Sequence, residues 1–499
     1  MGLSPRLAFM GLILSLFLLQ FAKGVNPSRD HPTRYHPEVF RDVTEEMPLF
    51  ANLKKIAGNE GSDHQQNETE FRPRQFPELK KRAYSLTPAT DPFYKPPSGY
   101  EKYPPGTILQ YRLVSRADPP AFYFLTYNLK ANYQILYRTT DTWGNPTYTV
   151  LSVFIPYNPD YTKVISYQMA EDAININCSP SYTIQINAPQ STQEHAEFML
   201  VQALLNRNWI VIIPDYEGPQ SSFACAILEG QAILDGIRAA LLSESFTGIN
   251  PKAEIIPWGY SGAALATAWA AQLQEKYAPE IPILGWVLGG VPSNFTELNE
   301  FLNGGLWAGY LAAGLLGLAT QYPSVQEFVS AQISQQGLEE IDTLYEACAN
   351  YLPFLDFTQI TTVGEGVFSD PQLTSVFDDI LLGADPPKHP VYIYASQIDD
   401  IVPVDMVDQL YTRWCDGGTI ITYRKDLTPS HVLEYATGSP GAIQWIIDMY
   451  SGQTPATKCN EYTSVNNAMN PQDIAIVGAD IYYGISNLFG RVPVGEVNG

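Results

Sequence analysis

Basic side chains are scarce in this sequence. Its 499 residues include 29 lysines and arginines against 52 aspartates and glutamates, a formal net charge of −23 at pH 7. Such a surface repels phosphate groups, so we expect no nucleic-acid partner and no docking on anionic lipid headgroups. Charged residues make up only 16% of the chain and hydrophobic residues 45%. The composition therefore predicts an acidic protein with a sizeable packed core.

Motifs for binding metals and phosphates are also missing. The sequence contains no CxxC pair, no HExxH motif and no GxxxxGK[ST] loop, and the glycines between Gly304 and Gly317 do not follow a predicted strand. These motifs supply the usual zinc ligands and phosphate-binding backbones. We therefore expect neither a metal nor an organic cofactor.

Long hydrophobic runs are absent after the amino terminus. The first run, Leu7 to Phe21, follows Arg6 and precedes the small residues Ala22 and Gly24. This order predicts a secretory signal peptide over residues 1–24, because the alternative, a single membrane anchor, normally needs a longer apolar stretch. We therefore predict a secreted, extracellular protein without a stable membrane anchor.

Residues 25–82 form a polar stretch that ends in Lys80-Lys81-Arg82. A basic run in a secretory precursor predicts a pro-segment that is cleaved before Ala83, and a solvated arm that is never cut is the alternative. Five cysteines in a secreted chain predict two disulfides and one remaining thiol. Glycosylation sequons begin at Asn67, Asn177 and Asn294, of which Asn67 would be lost with the pro-segment.

Short apolar strands alternate with helical patterns in the body of the chain. The predicted strands are Lys163 to Gln168, Trp209 to Pro214, Glu254 to Trp258, Ile283 to Leu288, Pro390 to Ala395 and Thr419 to Tyr423. Helices are predicted at Gln193 to Leu205 and Glu229 to Leu242. This alternation predicts an α/β fold with a mostly parallel, doubly wound sheet, in which ligands bind at the carboxyl ends of the strands.

A mostly helical stretch rich in Gly, Ala and Leu interrupts this alternation at residues 294–387. We predict that it is a cap inserted between two parts of one core, residues 83–293 and 388–499. The second part would also contain a C-terminal flap or tail.

The strongest chemical signal is Gly259-Tyr-Ser-Gly-Ala263, which lies between a predicted strand and a predicted helix. It is a G-x-S-x-A version of the nucleophile elbow, where small residues leave room for a serine in a strained turn. Ser261 is the predicted nucleophile, and the N–H groups that open the helix would stabilise a developing oxyanion. Pro257 is unusual here, because it lacks the N–H group that a central strand donates.

A nucleophilic serine needs a histidine as base and an acid that orients the histidine. Outside the predicted pro-segment the histidines are His195, His389 and His431. His195 lies in a helical pattern and is expected at the surface, and His389 precedes a strand, at the wrong end of the sheet. His431 is therefore the predicted base. Asp399, in the loop after a predicted strand, is the preferred acid, and Asp400 is the alternative.

Several stretches around these residues carry a resemblance to a known family. From residue 85 to residue 460 the chain resembles the fungal secretory lipases of the Candida lipase A type. The stretches that match are Asp91-Pro-Phe-Tyr94, Ser166 to Asp172, Cys178 to Tyr182, Asp215 to Gly218, Ala232 to Arg238, Gly259 to Gly262, Leu302 to Gly305, Asp399 to Pro403 and Ser430-His431. Together they are specific, although no single stretch is.

The resemblance implies an α/β-hydrolase core with an inserted helical cap and hydrolysis of fatty-acyl esters. It places Ser261, Asp399 and His431 in the catalytic triad. It also places Gly262 and Asp172 in the oxyanion hole, where their backbone N–H groups would act as donors.

The same resemblance implies disulfides between Cys178 and Cys348 and between Cys415 and Cys459, which leaves Cys225 as the free thiol. The chain departs from the family pattern at two positions. Ala263 stands where the family has glycine, and Ala170 stands where it has an aromatic residue. These departures make a tighter elbow and an altered pocket beside the oxyanion hole.

We therefore predict a triacylglycerol lipase that is monomeric and acts on lipid or ester substrates at an oil–water interface, with acyl transfer to alcohols as a side activity. A short-chain carboxylesterase, a serine peptidase and a catalytically dead binding protein are the alternatives. The segment from Leu306 to Thr320 could line a tunnel for the acyl chain, or it could be an ordinary pair of buried helices.

Overall fold

The computed structural model describes residues 86–114, 128–185, 188, 192–348, 366, 369–427, 430–453 and 456–464. The predicted signal peptide and the predicted pro-segment lie outside these residues, and so does the C-terminal end of the chain from residue 465. Their boundaries stay predictions.

The described strands form one sheet. In chain order they are β1 (Ile108–Leu113), β2 (Ala131–Thr140), β3 (Pro146–Ile155), β4 (Asp160–Gln168), β5 (Trp209–Pro214), β6 (Glu254–Tyr260), β7 (Trp286–Gly289), β8 (Val391–Ser396), β9 (Ile421–Asp426) and β10 (Asn460–Ser464). Their order across the sheet is β1-β2-β3-β5-β4-β6-β7-β8-β9-β10. The pairs β1-β2, β2-β3 and β3-β5 are antiparallel. All the other neighbours in this order, from β5-β4 to β9-β10, are parallel.

Helices cover both faces of the sheet. The described α-helices are α1 (Pro180–Thr183), α2 (Thr192–Leu205), α3 (Ala226–Leu241), α4 (Glu244–Thr247), α5 (Gly262–Tyr277), α6 (Phe295–Leu302), α7 (Gly309–Ala319), α8 (Pro323–Gln332), α9 (Gln335–Glu346), α10 (Pro371–Asp379), α11 (Val404–Asp416) and α12 (His431–Tyr450).

Alternation of side chains along the central strands creates two separate cores. In β6, Ile255 packs in the core that contains α3 and α5, whereas Ile256 packs in the core that contains α2 and α12. Successive side chains of a strand point to opposite faces, so a strand covered on both faces must be apolar throughout. The burial of β5 along its whole length fits this rule.

The order of the strands places a crevice at the carboxyl end of β4. The chain passes from β4 to its neighbour β5 on one side and then returns to β6 on the other side. Where a sheet reverses its winding in this way, the loops after the two strands diverge and leave room for a ligand. The loops that follow β4 and β6 contain Asp172 and Ser261.

Pro257 is accommodated by an interruption in the pairing of β6. Ile255 donates its N–H to the carbonyl of Pro282 on the β7 side, and residue 257 faces the same side because donors alternate along a strand. Regular pairing between β6 and β7 begins only at Trp258, opposite Val287. The missing N–H of Pro257 therefore faces a gap in the ladder.

Among the described residues, five helices, α6 to α10, lie between β7 and β8, where the helical insertion is predicted. Helix α7 spans most of the predicted tunnel segment and is buried on nearly every side. A Cβ atom on its Gly317 would clash with the backbone of Phe223. This contact supports the buried-helix alternative at that position, while the tunnel and the exact cap boundaries stay predictions.

Candidate active site

Ser261 occupies a sharp turn between β6 and α5. Its backbone has φ 57° and ψ −128°, a conformation that is strained for a residue with a side chain. The N–H of Ser261 donates to the carbonyl of Gly289 at 2.9 Å, which ties the turn to β7. A Cβ atom on Gly259 would clash with the carbonyl of Ala263. The turn thus needs glycine at 259, and it accepts the buried Ala263.

His431 and Asp399 are joined by a short hydrogen bond. Nδ1 of His431 lies 2.7 Å from Oδ2 of Asp399, and both side chains are buried. The other oxygen of Asp399 accepts the N–H groups of Ile401 at 2.9 Å and Val402 at 2.7 Å. These bonds fix the carboxylate, so the Nδ1–H of the imidazole points to Asp399 and Nε2 is left as the acceptor.

The carboxylate of Asp400 contacts the backbone of the same histidine. Oδ1 of Asp400 accepts the N–H of His431 at 2.9 Å. His431 is the first residue of α12, where N–H groups have no partner within the helix. The geometry therefore assigns the imidazole contact to Asp399 and the backbone contact to Asp400.

The imidazole of His431 packs between two residues at the carboxyl edge of the sheet. The ring of Tyr260 lies 4.8 Å from it between centroids, and the hydroxyl of Tyr260 donates to the carbonyl of His431 at 2.6 Å. Gly290, with φ +50°, leaves space on another side, because a Cβ there would lie 2.8 Å from Cε1. Nε2 is buried and has no hydrogen-bond partner among the described residues.

Asp172 follows β4 and lies against the start of α5. It is buried and has φ 42°, a second strained position at this edge. Its Oδ1 has no hydrogen-bond partner within the described residues, and a Cβ on Gly262 would clash with it. Burial raises the pKa of Asp172 to about 7, partly offset by the nearby His431.

A cluster of buried carboxyl groups surrounds Asp172. Its members, each at most 5% exposed, are Glu171, Asp172, Glu194, Asp215, Glu217 and Glu229. Burial raises the pKa of Glu194 to about 8 and of Asp215 to about 7. Burial and neighbouring carboxylates raise the pKa of Glu171 and Glu217 well above the ordinary value. A buried carboxylate is costly unless it is neutralised, so burial favours the protonated form of these groups.

The segment from Ala170 to Asp172, which follows β4, is also held at its first residue. The N–H of Ala170 lies 3.3 Å from both carboxylate oxygens of Glu197 on α2. Ala170 is itself buried, so the small side chain at this departure from the family pattern is enclosed by protein.

Two disulfides join residues far apart in the sequence. Cys178 is bonded to Cys348 and Cys415 to Cys459, and Cys225 is a buried free thiol. Ala173, next to Asp172, packs against the first disulfide. That bond therefore attaches the end of α9 to the segment that carries Asp172.

The other two histidines lie away from this arrangement. Nε2 of His195 lies 3.1 Å from the carbonyl of Gln185, and the side chain is half-buried rather than on the surface as expected. Burial lowers the pKa of His195. His389 precedes β8 and lies at the amino end of the sheet, as the sequence predicts.

The structure adds several residues that the sequence reasoning missed. They are Gly290, Glu197, Phe223, whose ring lies near Gly262, and the members of the carboxyl cluster other than Asp172. The glycine pair after a predicted strand was an available signal for Gly290. The acidic residues that directly follow β4 and β5 were a weaker signal for the carboxyl cluster.

The residues for which the structure accounts contain neither a cluster of metal ligands nor a membrane-spanning helix. Within them, no group of three or more His, Cys, Asp or Glu side chains is placed to hold a metal ion. No helix in the same part of the chain is both long enough and apolar enough to cross a membrane.

The strand order and the strained serine turn between β6 and α5 define an α/β-hydrolase. Candida antarctica lipase A has the same fold: its crystal structure superimposes with a TM-score of 0.73 and 27% identity, over 81% of this chain and 96% of that one. The predicted fold class is confirmed.

Sequence comparisons lead to one family. The model of the family described as secretory lipase matches residues 184–458. Lipase A of Arthroderma benhamiae is 37% identical over 82% of this chain and 89% of its own length. Lipase 2 of Candida albicans is 36% identical over 79% of this chain and 88% of its own length. The chain belongs to the secretory lipase family, which confirms the predicted resemblance and the predicted enzyme class.

Proposed function

We propose that this lipase hydrolyses fatty-acyl esters, triacylglycerols among them, through an acyl-enzyme on Ser261. The observation that carries the proposal is the short bond between Asp399 and His431, which leaves a buried Nε2 available at the edge where the serine turn lies. A serine, a histidine and an orienting acid in this relation are the components of two-step acyl transfer.

In the first step, Nε2 of His431 takes the proton of the Ser261 hydroxyl while the oxygen attacks the ester carbonyl. Asp399 keeps the imidazole in the required tautomer and stabilises the imidazolium that forms. The carbonyl oxygen becomes an oxyanion, which the backbone N–H groups of Gly262 and Asp172 stabilise as donors.

In the second half, the tetrahedral intermediate collapses and the alcohol leaves with the proton from His431. A water molecule then gives a proton to Nε2 and attacks the acyl-enzyme, and His431 returns that proton to the oxygen of Ser261 as the fatty acid leaves. An alcohol in place of water would yield a new ester by the same step, which is the acyl transfer that we predict as a side activity.

Secretion, a monomeric state and action at an oil–water interface are further parts of the proposal. The secretory family and the relatives named lipases support the first and the last. The triad alone does not separate a lipase from a short-chain esterase, because acyl specificity depends on the pocket and not on the fold.

The test measures hydrolysis of p-nitrophenyl esters from acetyl to palmitoyl, and of a triglyceride emulsion, by the parent and by Ser261→Ala. We expect activity on the emulsion and on long-chain esters, and a loss on the order of 10⁶-fold in turnover for Ser261→Ala. The matched control is Ser293→Ala. Ser293 follows β7, the strand beside β6, and its buried hydroxyl donates to the carbonyl of Met406.

Ser293→Ala should retain ester turnover within a few-fold of the parent. Activity confined to acetyl and butyryl esters would point to the short-chain esterase alternative. Undiminished activity in Ser261→Ala would refute the proposed site.

A further inference from the structure

Asp400, the second aspartate of the loop after β8, is not used by the proposed mechanism, yet it contacts both His431 and the helical insertion. Oδ1 of Asp400 accepts the backbone N–H of His431 at 2.9 Å. Oδ2 of the same carboxylate accepts the indole N–H of Trp307 at 3.3 Å. Trp307 lies between α6 and α7, in the helical insertion.

The bond to His431 is made at the first residue of α12. His431 opens α12, and Ser430 caps the helix by accepting the N–H of Leu433 at 3.2 Å. The N–H of His431 is left for Asp400, and a carboxylate at a helix start also interacts favourably with the helix dipole. Asp400 therefore fixes the backbone of the residue whose imidazole must meet Ser261.

The helical insertion also approaches Asp172, through the short stretch from Trp307 to Tyr310. The ring of Trp307 lies 6.2 Å from that of Tyr310 between centroids. Burial, together with the charges of Asp172 and Glu194, raises the pKa of Tyr310. Trp307 thus contacts Asp400, and Tyr310, three residues further along, is close enough to Asp172 to interact with it electrostatically.

We propose that Asp400 is a positioning residue that couples the placement of the helical insertion, through Trp307, to the placement of His431. When Trp307 donates to Asp400, the carboxylate is held in the orientation that also receives the His431 N–H. When the insertion moves away, the carboxylate loses that restraint and turns towards water, and His431 is less well placed. The inference rests on the proposed function, because it concerns the base of the same reaction.

The experiment is a double-mutant cycle on a dissolved substrate, p-nitrophenyl butyrate. The variants are Asp400→Ala, Trp307→Phe and the double variant, with kcat and KM measured for each. Asp400→Ala should lower kcat ~10-fold or more, the range for losing a hydrogen bond to a charged group. Its KM should change less than about twofold, since the ester does not touch Asp400 in this proposal.

Trp307→Phe keeps an aromatic ring and removes the donor, and we expect kcat to fall ~3-fold, as for a weaker exposed hydrogen bond. The decisive result is the double variant, which should match Asp400→Ala alone, because Trp307 acts through Asp400. Trp143→Phe is the matched control. Trp143 is an exposed tryptophan, whereas Trp307 is partly buried, and the indole of Trp143 donates to the backbone carbonyl of Gln321, away from Asp400.

Asp400→Asn guards against a folding defect in the alanine variant. It has the same shape and keeps one oxygen for the His431 N–H, so kcat should recover most of the loss, while Trp307→Phe should have no further effect in its background. Thermal unfolding temperatures of all variants should lie close to that of the parent.

Two results would overturn the inference. One is a kcat of Asp400→Ala within twofold of the parent. The other is a double variant whose loss equals the product of the single losses. Failure of the proposed function looks different, since ester turnover would then survive Ser261→Ala whatever residue stands at position 400, and the present inference would fall with it.

Discussion

Four residues at the carboxyl edge of the sheet have positive φ without being glycine: Ser221 and Ala224 after β5, and Ser261 and Asp172 at the proposed site. Ser261 and Asp172 follow the two neighbouring strands β6 and β4. Strain at such positions persists only where the surrounding packing determines it. Here the packing is supplied by Gly259, Gly262 and Gly290, which allow backbone, carboxylate and imidazole to approach closely.

Gly262→Ala tests this close approach. The new Cβ would clash with Oδ1 of Asp172, so Asp172 or the turn must shift, and one oxyanion donor would be displaced. We expect kcat on p-nitrophenyl butyrate to fall ~10²–10³-fold, the usual cost of losing one such donor. The thermal unfolding temperature is the control measurement. An active enzyme with unchanged kcat would show that Gly262 is not part of the oxyanion hole.

At the scale of single elements, the hydrophobic pattern predicted the central strands and the helices beside them. The predicted limits of β5 agree with the structure, and those of β4, β6, β7, β8 and β9 differ at one or both ends. The strands β1 to β3 and β10 were not predicted. The pair β2 and β3 is local, since only residues 141–145 separate the two strands, whereas β3 also pairs with the distant β5. Pro257 was unexpected, and only the register of β7 accounts for it.

The two disulfides predict different consequences for two elements. Cys178–Cys348 closes a loop of 170 residues and attaches the end of α9 beside Asp172, whereas Cys415–Cys459 closes 44 residues between α11 and β10. We expect that replacing either pair by alanine lowers the free energy of unfolding by about 2–5 kcal/mol. Only the first replacement should also impair kcat/KM for long-chain esters.

Chemical denaturation and ester kinetics on both double variants check this prediction, with the Cys415→Ala/Cys459→Ala variant as the matched control. Equal loss of kcat/KM in the two variants would argue that the first disulfide has no special relation to the site.

At the scale of the whole molecule, buried acids dominate the electrostatics. Glu194 and Asp215 ionise near pH 4 when exposed, but burial raises their pKa values to about 8 and about 7. A raised pKa means that the folded state holds protons which the unfolded state releases. The stability that these two groups contribute is therefore fully present below about pH 4 and is lost as the pH rises towards 8.

Glu194→Gln should make this decline shallower, because the amide has no proton to lose. We expect a higher thermal unfolding temperature than that of the parent at pH 8 and a smaller difference at pH 4. The matched control is Glu244→Gln, which changes an exposed glutamate at the start of α4. A parent protein that is more stable at pH 8 than at pH 4 would contradict the prediction.

By itself the sequence determined the local features: the alternation of strand and helix, the elbow around Ser261 and the choice of His431 by elimination. These follow from short-range physics, because periodicity, small residues in a tight turn and residue chemistry are readable within a few positions. Tertiary structure alone decided which aspartate meets the imidazole, how Asp400 joins His431 to Trp307, and that the acids after β4 and β5 converge with Glu194 and Glu229 in one buried cluster. These relations connect residues far apart in the chain, and only the packing of the sheet and its helices sets the distances between them.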